Sequence, residues 1–216
     1  MTSREDRLRA TLEPSTTAVL TMELQQGVVG EGALMQALVE ELARVDTLDT
    51  VRRLCAGARD AGARVVHCTV VARPDGAGST ENCKIFAMSA KQRREHGSTA
   101  TDIGSPGAEL IDGLEDPRDI VVSRMHGMTP FTSTSLDQIL RNLGIRTVVA
   151  TGVSVNLGVW GMAMSAMDLG YQVVIPRDAV AGVPREYADA VLDNSLSLIA
   201  TLVSSEQLLE VWQSGR

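Results

Sequence analysis

Short apolar segments rich in β-branched residues alternate along this chain with longer segments of helical periodicity. The short segments predict strands over residues 18–22, 64–71, 120–123, 147–151, 172–175 and 199–203. The helical patterns predict helices over residues 33–58, 82–94, 135–142, 156–169, 185–198 and 205–213. This alternation indicates an α/β fold, in which a parallel sheet of about six strands is covered by helices on both faces.

The length and composition predict one domain. A chain of 216 residues, with 44% hydrophobic and 22% charged residues, is long enough for one well-buried core and too short for two. We therefore expect a single domain over residues 1–216, in which residues 1–15 form an N-terminal extension. Segment 73–81 is rich in Gly and Ser, which predicts a loop and makes it a candidate lid.

Charge and cysteine usage argue against several classes of protein. The formal net charge is −7 and the basic residues are scattered, so we expect no nucleic-acid partner. Cys55, Cys68 and Cys83 are odd in number and lack metal-ligand spacing, so we predict no disulfide framework, no metal and no cofactor. A polar N-terminus and the lack of an 18-residue apolar run predict a cytoplasmic protein without a membrane partner.

Polar residues follow three of the predicted strands. Glu23 comes after the first strand, Arg124 after the third, and the turn 152–158 after the fourth. Ligands of parallel α/β sheets bind beyond the carboxyl ends of the strands, where the strand order reverses. We therefore expect these residues to share one pocket for a small-molecule substrate.

The turn itself has the sequence TGVSVNLGV over residues 151–159 and contains no group equipped for nucleophilic attack. Gly152 supplies a flexible bend between the strand and the helix that follows. A strand that ends at a helix N-terminus presents free backbone N–H groups, which predicts an anion or oxyanion site.

This turn resembles the nucleophile turn of the isochorismatase-like hydrolases, or cysteine hydrolase superfamily, whose pattern is roughly T-G-V-x-T-N-x-C-V. Residues 151–153, Asn156 and Val159 match that pattern, whereas Gly158 stands at the nucleophilic Cys. The family pattern also has D-x-Q after the first strand and a Lys after the third strand. The resemblance extends from about residue 17 to residue 208 and implies a doubly wound, three-layer α-β-α sandwich.

The other two motifs carry the resemblance into the rest of the pocket. Glu23 and Gln25 correspond to the D-x-Q motif, and Arg124 is the nearest match to the Lys, although Met125 is the match without a gap. The resemblance implies catalytic positions at Glu23, Arg124 and Gly158. It implies substrate contacts for Gln25, Phe131 and Ser154, and the positions of His126 and Trp160 beside the expected pocket make them candidate substrate contacts as well. It also implies a cis peptide bond between Val153 and Ser154 and a homo-oligomeric assembly.

Several of these residues also have ordinary structural explanations. Glu23 is suited to cap a helix or pair with an Arg, and Arg124 to be a solvated charge at a strand end. Loop histidines such as His126 are usually only exposed, and an aromatic residue such as Trp160 is more often part of the core than of a ligand site. Cys68 alternates with apolar neighbours, which predicts a buried structural thiol.

The absence of a nucleophile excludes acyl-enzyme chemistry. We therefore predict hydrolysis of a vinyl ether C–O bond or a C–N bond without a covalent intermediate. Glu23 would transfer the proton, and backbone N–H groups near Ser154 and Gly158 would hold the developing negative charge. An apolar pocket would make Glu23 an acid and a nearby Arg124 would make it a base. The true isochorismatases also have Gly at this position, but the preceding residues match only in part. The alternative is a catalytically silent small-molecule-binding protein.

Overall fold

The computed structural model describes residues 3–214, and its centre is a sheet of parallel strands. The strands are β1 (Thr17–Met22), β2 (Arg64–Val70), β3 (Ile120–Arg124), β4 (Thr147–Val153), β5 (Gln172–Pro176), β6 (Val180–Ala181) and β7 (Thr201–Val203). Their order is β3-β2-β1-β4-β5-β7, and the two-residue β6 pairs with β4. The strand order therefore reverses between β1 and β4, as in other doubly wound folds.

Helices cover both faces of the sheet. They are α1 (Arg4–Thr11), α2 (Gln26–Val29), α3 (Gln36–Arg44), α4 (Thr47–Ala61), α5 (Lys84–His96), α6 (Leu136–Asn142), α7 (Trp160–Asp168), α8 (Arg185–Asn194) and α9 (Ser205–Gln213). One buried cluster joins the sheet to α6, α7 and α8, and a second joins it to α3, α4 and α9. This is the predicted three-layer α-β-α sandwich. Among the helices of residues 3–214, none has the length and apolar composition needed to cross a membrane.

The strand predictions agree closely with the structure, whereas three of the predicted helices are interrupted. The helix predicted over 33–58 is two helices, because Asp46 adopts a left-handed conformation (φ 55°) between α3 and α4. The helix predicted over 156–169 begins with a π-helical turn, Val155–Val159, before α7. The helix predicted over 185–198 ends at Asn194 and is followed by a 3₁₀ turn, Leu196–Leu198.

The predicted N-terminal extension is folded against the rest of the chain within its described part, residues 3–15. A capping box between Ser3 and Asp6 begins α1. The Trp212 indole N–H donates to the Leu12 carbonyl oxygen at 2.8 Å. The Thr147 hydroxyl, at the start of β4, donates to the Thr11 carbonyl oxygen at 2.6 Å. These bonds fasten the extension to the amino end of the sheet and to α9.

Candidate active site

An ion pair between Glu23 and Arg124 lies at the carboxyl edge of the sheet. Glu23 follows β1 and Arg124 is the last residue of β3, so the guanidinium reaches across β2 to the carboxylate. Arg124 Nε donates to the Gly127 carbonyl oxygen at 2.9 Å, and Nη1 donates to the Thr69 carbonyl oxygen at 3.4 Å. The Arg124 side chain is 1% exposed and that of Glu23 is 14% exposed. Arg124 therefore has its charge and most of its donors satisfied by protein.

The backbone of Glu23 adopts an unusual conformation for a residue with a side chain. Its φ is 54°, in the left-handed region that favours glycine. The Glu23 N–H continues the sheet by donating to the Cys68 carbonyl oxygen at 2.9 Å. The chain therefore turns sharply just after β1, and this turn keeps the Glu23 carboxylate beside Arg124.

Gly158 lies where the resemblance places a nucleophile, and its surroundings leave no room for a side chain. A Cβ at this position would lie 2.9 Å from the Val153 carbonyl oxygen and 2.8 Å from Met22 Cε. Both distances are shorter than normal carbon contacts, and Met22 is fully buried. The Met22 side chain thus lies against the place where the Cβ of any larger residue would stand. Sequence reasoning missed this role of Met22, whose apolar character on β1 predicts only core packing.

Some N–H groups of the turn after β4 are hydrogen-bonded within the turn itself. The peptide bond between Val153 and Ser154 is cis, as predicted. The N–H groups of Leu157 and Val159 both donate to the Ser154 carbonyl oxygen at 3.0 Å. The Ser154 hydroxyl is hydrogen-bonded to the Asn156 side-chain oxygen. Of the N–H groups in residues 155–159, those of Leu157 and Val159 are therefore unavailable to an oxyanion.

Glu23, Gly158 and the turn after β4 lie at the switch point between β1 and β4. Comparison with known proteins places the chain in a family. A family model described as the isochorismatase domain matches residues 17–207. The chain belongs to the isochorismatase family.

Several known proteins resemble the chain over most of its length. The ureidoacrylate amidohydrolase RutB of Rhizobium rhizogenes is 29% identical over 177 residues, which are 78% of this chain and 72% of that protein. Among solved structures, an isochorismatase family protein from Desulfovibrio vulgaris has a TM-score of 0.79 at 25% identity, covering 92% of this chain and 98% of that one. N-carbamoylsarcosine amidase from Thermoplasma acidophilum shares the fold, with a TM-score of 0.68 at 23% identity and coverages of 88% and 97%.

Gln25, which matches the family's D-x-Q motif, is engaged by the backbone. Its side-chain oxygen accepts from the Val70 N–H at 2.7 Å, and its amide nitrogen donates to the carbonyl oxygens of Val70 (3.0 Å) and Ala108 (2.9 Å). Gln25 is completely buried. Its amide joins the end of β2 to the 3₁₀ turn Pro106–Ala108, and the substrate contact of Gln25 stays a prediction.

Phe131 and Trp160 pack against the core. The Phe131 ring lies 6.0 Å from the ring of Tyr171, which directly precedes β5 and so lies at the amino end of that strand. Phe131 also packs against the cluster beneath α6 and α7. The substrate contact of Phe131 stays a prediction. Trp160 begins α7 and is partly buried against the same cluster, and its substrate contact stays a prediction.

His126 lies at the same edge of the sheet but outside the ion pair. Its ring centroid is 4.9 Å from that of Phe86 on α5, and both rings line a cavity of about 270 Å³. Neither Glu23 nor Gly158 lines that cavity. The structure thus places the predicted site residues in two neighbouring groups rather than one, because the Arg124 side chain turns towards β1 while His126 faces α5.

The cysteines offer no substitute nucleophile. Cys55 and Cys68 are buried, and burial raises the pKa of each thiol to about 12. Cys68 lies next to the ion pair, where the nearby Arg124 lowers its pKa by less than burial raises it. Cys83 is exposed at the start of α5. Within residues 3–214 no cluster of three or more His, Cys, Asp or Glu side chains has the arrangement of a metal site.

Proposed function

We propose that this protein hydrolyses a small molecule without a covalent thiol intermediate, with Glu23 as the group that moves the proton. The observation that carries the proposal is the pairing of a retained carboxylate at the switch point with a nucleophile position that has neither a thiol nor space for one. The Arg124 guanidinium holds the Glu23 carboxylate in place at the switch point, and in this proposal Glu23 acts as a general base that activates water. The left-handed backbone of Glu23 supports a functional role, because such conformations are retained mainly where function requires them.

Arg124 would act as a positioning residue. Its guanidinium is almost fully enclosed and already pairs with Glu23, so it has little capacity to bind a substrate carboxylate. Developing negative charge on the substrate would instead meet the N–H groups of Val155, Asn156 or Gly158, which remain after those of Leu157 and Val159 are used within the turn.

The substrate class follows from the relatives. RutB of Rhizobium rhizogenes is named a ureidoacrylate amidohydrolase and the Thermoplasma neighbour an N-carbamoylsarcosine amidase, so C–N bonds of small amides and ureido compounds are the first candidates. The vinyl ether C–O bond is the second candidate, because Gly158 agrees with the residue of the true isochorismatases. A panel containing ureidoacrylate, N-carbamoylsarcosine, simple amides, esters and a vinyl ether would cover both.

The test is the turnover of Glu23→Gln on whichever panel member the native protein cleaves. Removing a general base is expected to lower turnover by at least ~10²-fold while substrate affinity changes only a few-fold. Glu109→Gln, at an exposed carboxylate near α2, is the control for the loss of one negative charge and should leave turnover unchanged. Native-level turnover by Glu23→Gln would refute the assigned role of Glu23.

A second measurement separates this chemistry from a hidden thiol mechanism. Complete alkylation of the accessible thiol Cys83 should leave turnover within about two-fold of the untreated protein, because no Cys lies at the nucleophile position. Loss of turnover with an unchanged circular dichroism spectrum would place a cysteine in the reaction.

The second candidate function is a small-molecule-binding protein without turnover. It is favoured by the way Met22 lies against Gly158 and Arg124 neutralises Glu23. Binding of a panel member without its hydrolysis, under conditions where RutB of Rhizobium rhizogenes cleaves ureidoacrylate, would support this alternative.

A further inference from the structure

A cavity of about 270 Å³ lies between helix α5 and the carboxyl ends of β2 and β3. Val70, Val71 and Ala72 line it from the sheet, and Phe86, Ser89 and Ala90 line it from α5. It opens beside the loop 73–81. The volume is near the lower end of the range that binds small molecules.

The charged groups around this cavity compensate one another. Its charged lining side chains are Glu81, Arg93 and Arg94. Arg93 pairs with the buried Asp102 at 2.6 and 3.1 Å, and Arg94 pairs with Glu81 at 2.6 Å. A charged ligand would therefore lose water without gaining an unpaired partner, which is unfavourable.

The cavity nevertheless presents unused hydrogen-bonding groups. Within residues 3–214, the hydroxyls of Thr80, Ser89 and Thr101 have no hydrogen-bond partner, and each can both donate and accept. The rings of Phe86 and His126 lie 4.9 Å apart at an interplanar angle of 38°. Both rings line the cavity, and aromatic rings favour offset or edge-to-face packing with a further ring.

We propose that this cavity binds an uncharged small molecule with one flat ring, which packs against Phe86 and His126 and hydrogen-bonds to the hydroxyls of Thr80, Ser89 and Thr101. The proposal concerns binding alone and does not depend on hydrolysis by Glu23. The Glu23→Gln variant should therefore bind the same ligand as the native protein.

The test uses three probes of nearly equal size that differ in charge: benzyl alcohol, benzoate and benzylammonium. Titration of the full chain at pH 8, followed by backbone amide resonances, should show benzyl alcohol shifting the Ala90 and Thr101 signals. Its dissociation constant should be at least ~5-fold lower than those of the two ions, because each ion must be desolvated without a partner. Equal or tighter binding of either ion would overturn the proposal, as would shifts confined to other parts of the chain.

Two variants locate the binding within the cavity. Ser89→Trp fills the space from α5 and should abolish the benzyl alcohol shifts, whereas Lys91→Trp on the exposed side of the same helix should preserve them. If Ser89→Trp does not fold, Thr101→Val removes a single hydroxyl and should weaken binding ~2- to 10-fold, the usual range for one neutral hydrogen bond. Unchanged binding in a folded Ser89→Trp or in Thr101→Val would contradict the proposed site.

Discussion

Gly158 has no side chain, and the atoms around its Cα also crowd the place where a Cβ would stand. The Val153 carbonyl oxygen and the buried Met22 side chain both approach the place where a Cβ would stand. Replacing glycine by cysteine would therefore compress the turn before any chemistry is restored.

We expect Gly158→Ala to lower the free energy of unfolding by about 1–3 kcal/mol, the usual cost of overpacking a tight site. Gly161→Ala is the matched control on the same segment, because a Cβ there would meet no atom nearer than 3.6 Å. That control should be neutral or stabilising by up to ~1 kcal/mol, since alanine favours a helix. Urea unfolding of both variants measures the difference, and equal stabilities would contradict the packing described for Met22.

Gly152 lies close to the backbone of Met22, and unlike Gly158 it also has a backbone conformation that favours glycine. Gly152 pairs with Met22 across β1 and β4, and its φ is 96°. A Cβ there would overlap the Met22 carbonyl oxygen, so both conformation and space require glycine. The bend predicted from this residue in the sequence therefore has a firm steric basis.

At the scale of elements, helix α5 is held to the rest of the protein by polar bonds, whereas the other long helices pack against the core through buried apolar residues. None of its residues is buried, and it belongs to neither core cluster. Arg93 holds it in place by pairing with Asp102 and by donating to the Pro74 carbonyl oxygen at 2.6 Å. Burial alone would raise the pKa of Asp102, but hydrogen bonds from Arg93 and Thr99 outweigh burial and hold that pKa below its usual value.

Arg93→Gln should therefore loosen α5 selectively. The change leaves the buried Asp102 without its cation, which typically costs about 1–3 kcal/mol. Amide hydrogen exchange should accelerate in residues 84–96 while the exchange of β1 and β4 stays unchanged. Arg94→Gln, which breaks the exposed pair with Glu81, is the control and should have an effect below ~0.5 kcal/mol. Uniform acceleration throughout the chain would show that α5 is part of the global folding unit.

At the scale of the whole molecule, a buried polar network joins four segments of the chain: β1, β2, the segment before β3, and α4. His67 on β2 contacts the Thr21 hydroxyl on β1 at 2.8 Å and the Asp119 carboxylate at 2.9 Å. Asp119 in turn accepts from Arg59 on α4. Burial lowers the pKa of His67, although Asp119 opposes part of that shift.

This network predicts how stability depends on pH. As pH falls below about 6.5, the usual imidazole value, His67 takes a proton in the unfolded chain but resists it in the folded one. The stability that neutral His67 contributes is therefore complete above pH 6.5. It is lost as the pH falls from 6.5 through the lower pKa of His67 in the folded protein. Urea unfolding at pH 8.0, 6.5 and 5.5 should show this loss. His67→Gln, which cannot be protonated, should flatten the profile over that window. The same slope in both proteins would contradict the assignment to His67.

The sequence by itself determined the α/β class and six of the seven strands described in residues 3–214, all but the two-residue β6, whereas the interpretation of Gly158 as the position of a missing thiol stays a prediction. Apolar runs such as 18–22 and the bend at Gly152 depend only on neighbours along the chain, so local patterns are sufficient to predict them. Homo-oligomeric assembly was expected from the resemblance alone and stays a prediction.

Only the tertiary structure decided how the polar residues divide at the edge of the sheet. Glu23 and Arg124 are 101 residues apart, and their contact depends on β2 lying between β1 and β3. The same packing places Met22 against Gly158, engages the Gln25 amide with the backbone, and keeps His126 outside the ion pair. Such contacts depend on side-chain volume and on hydrogen-bond partners distant in the chain, neither of which sequence periodicity records.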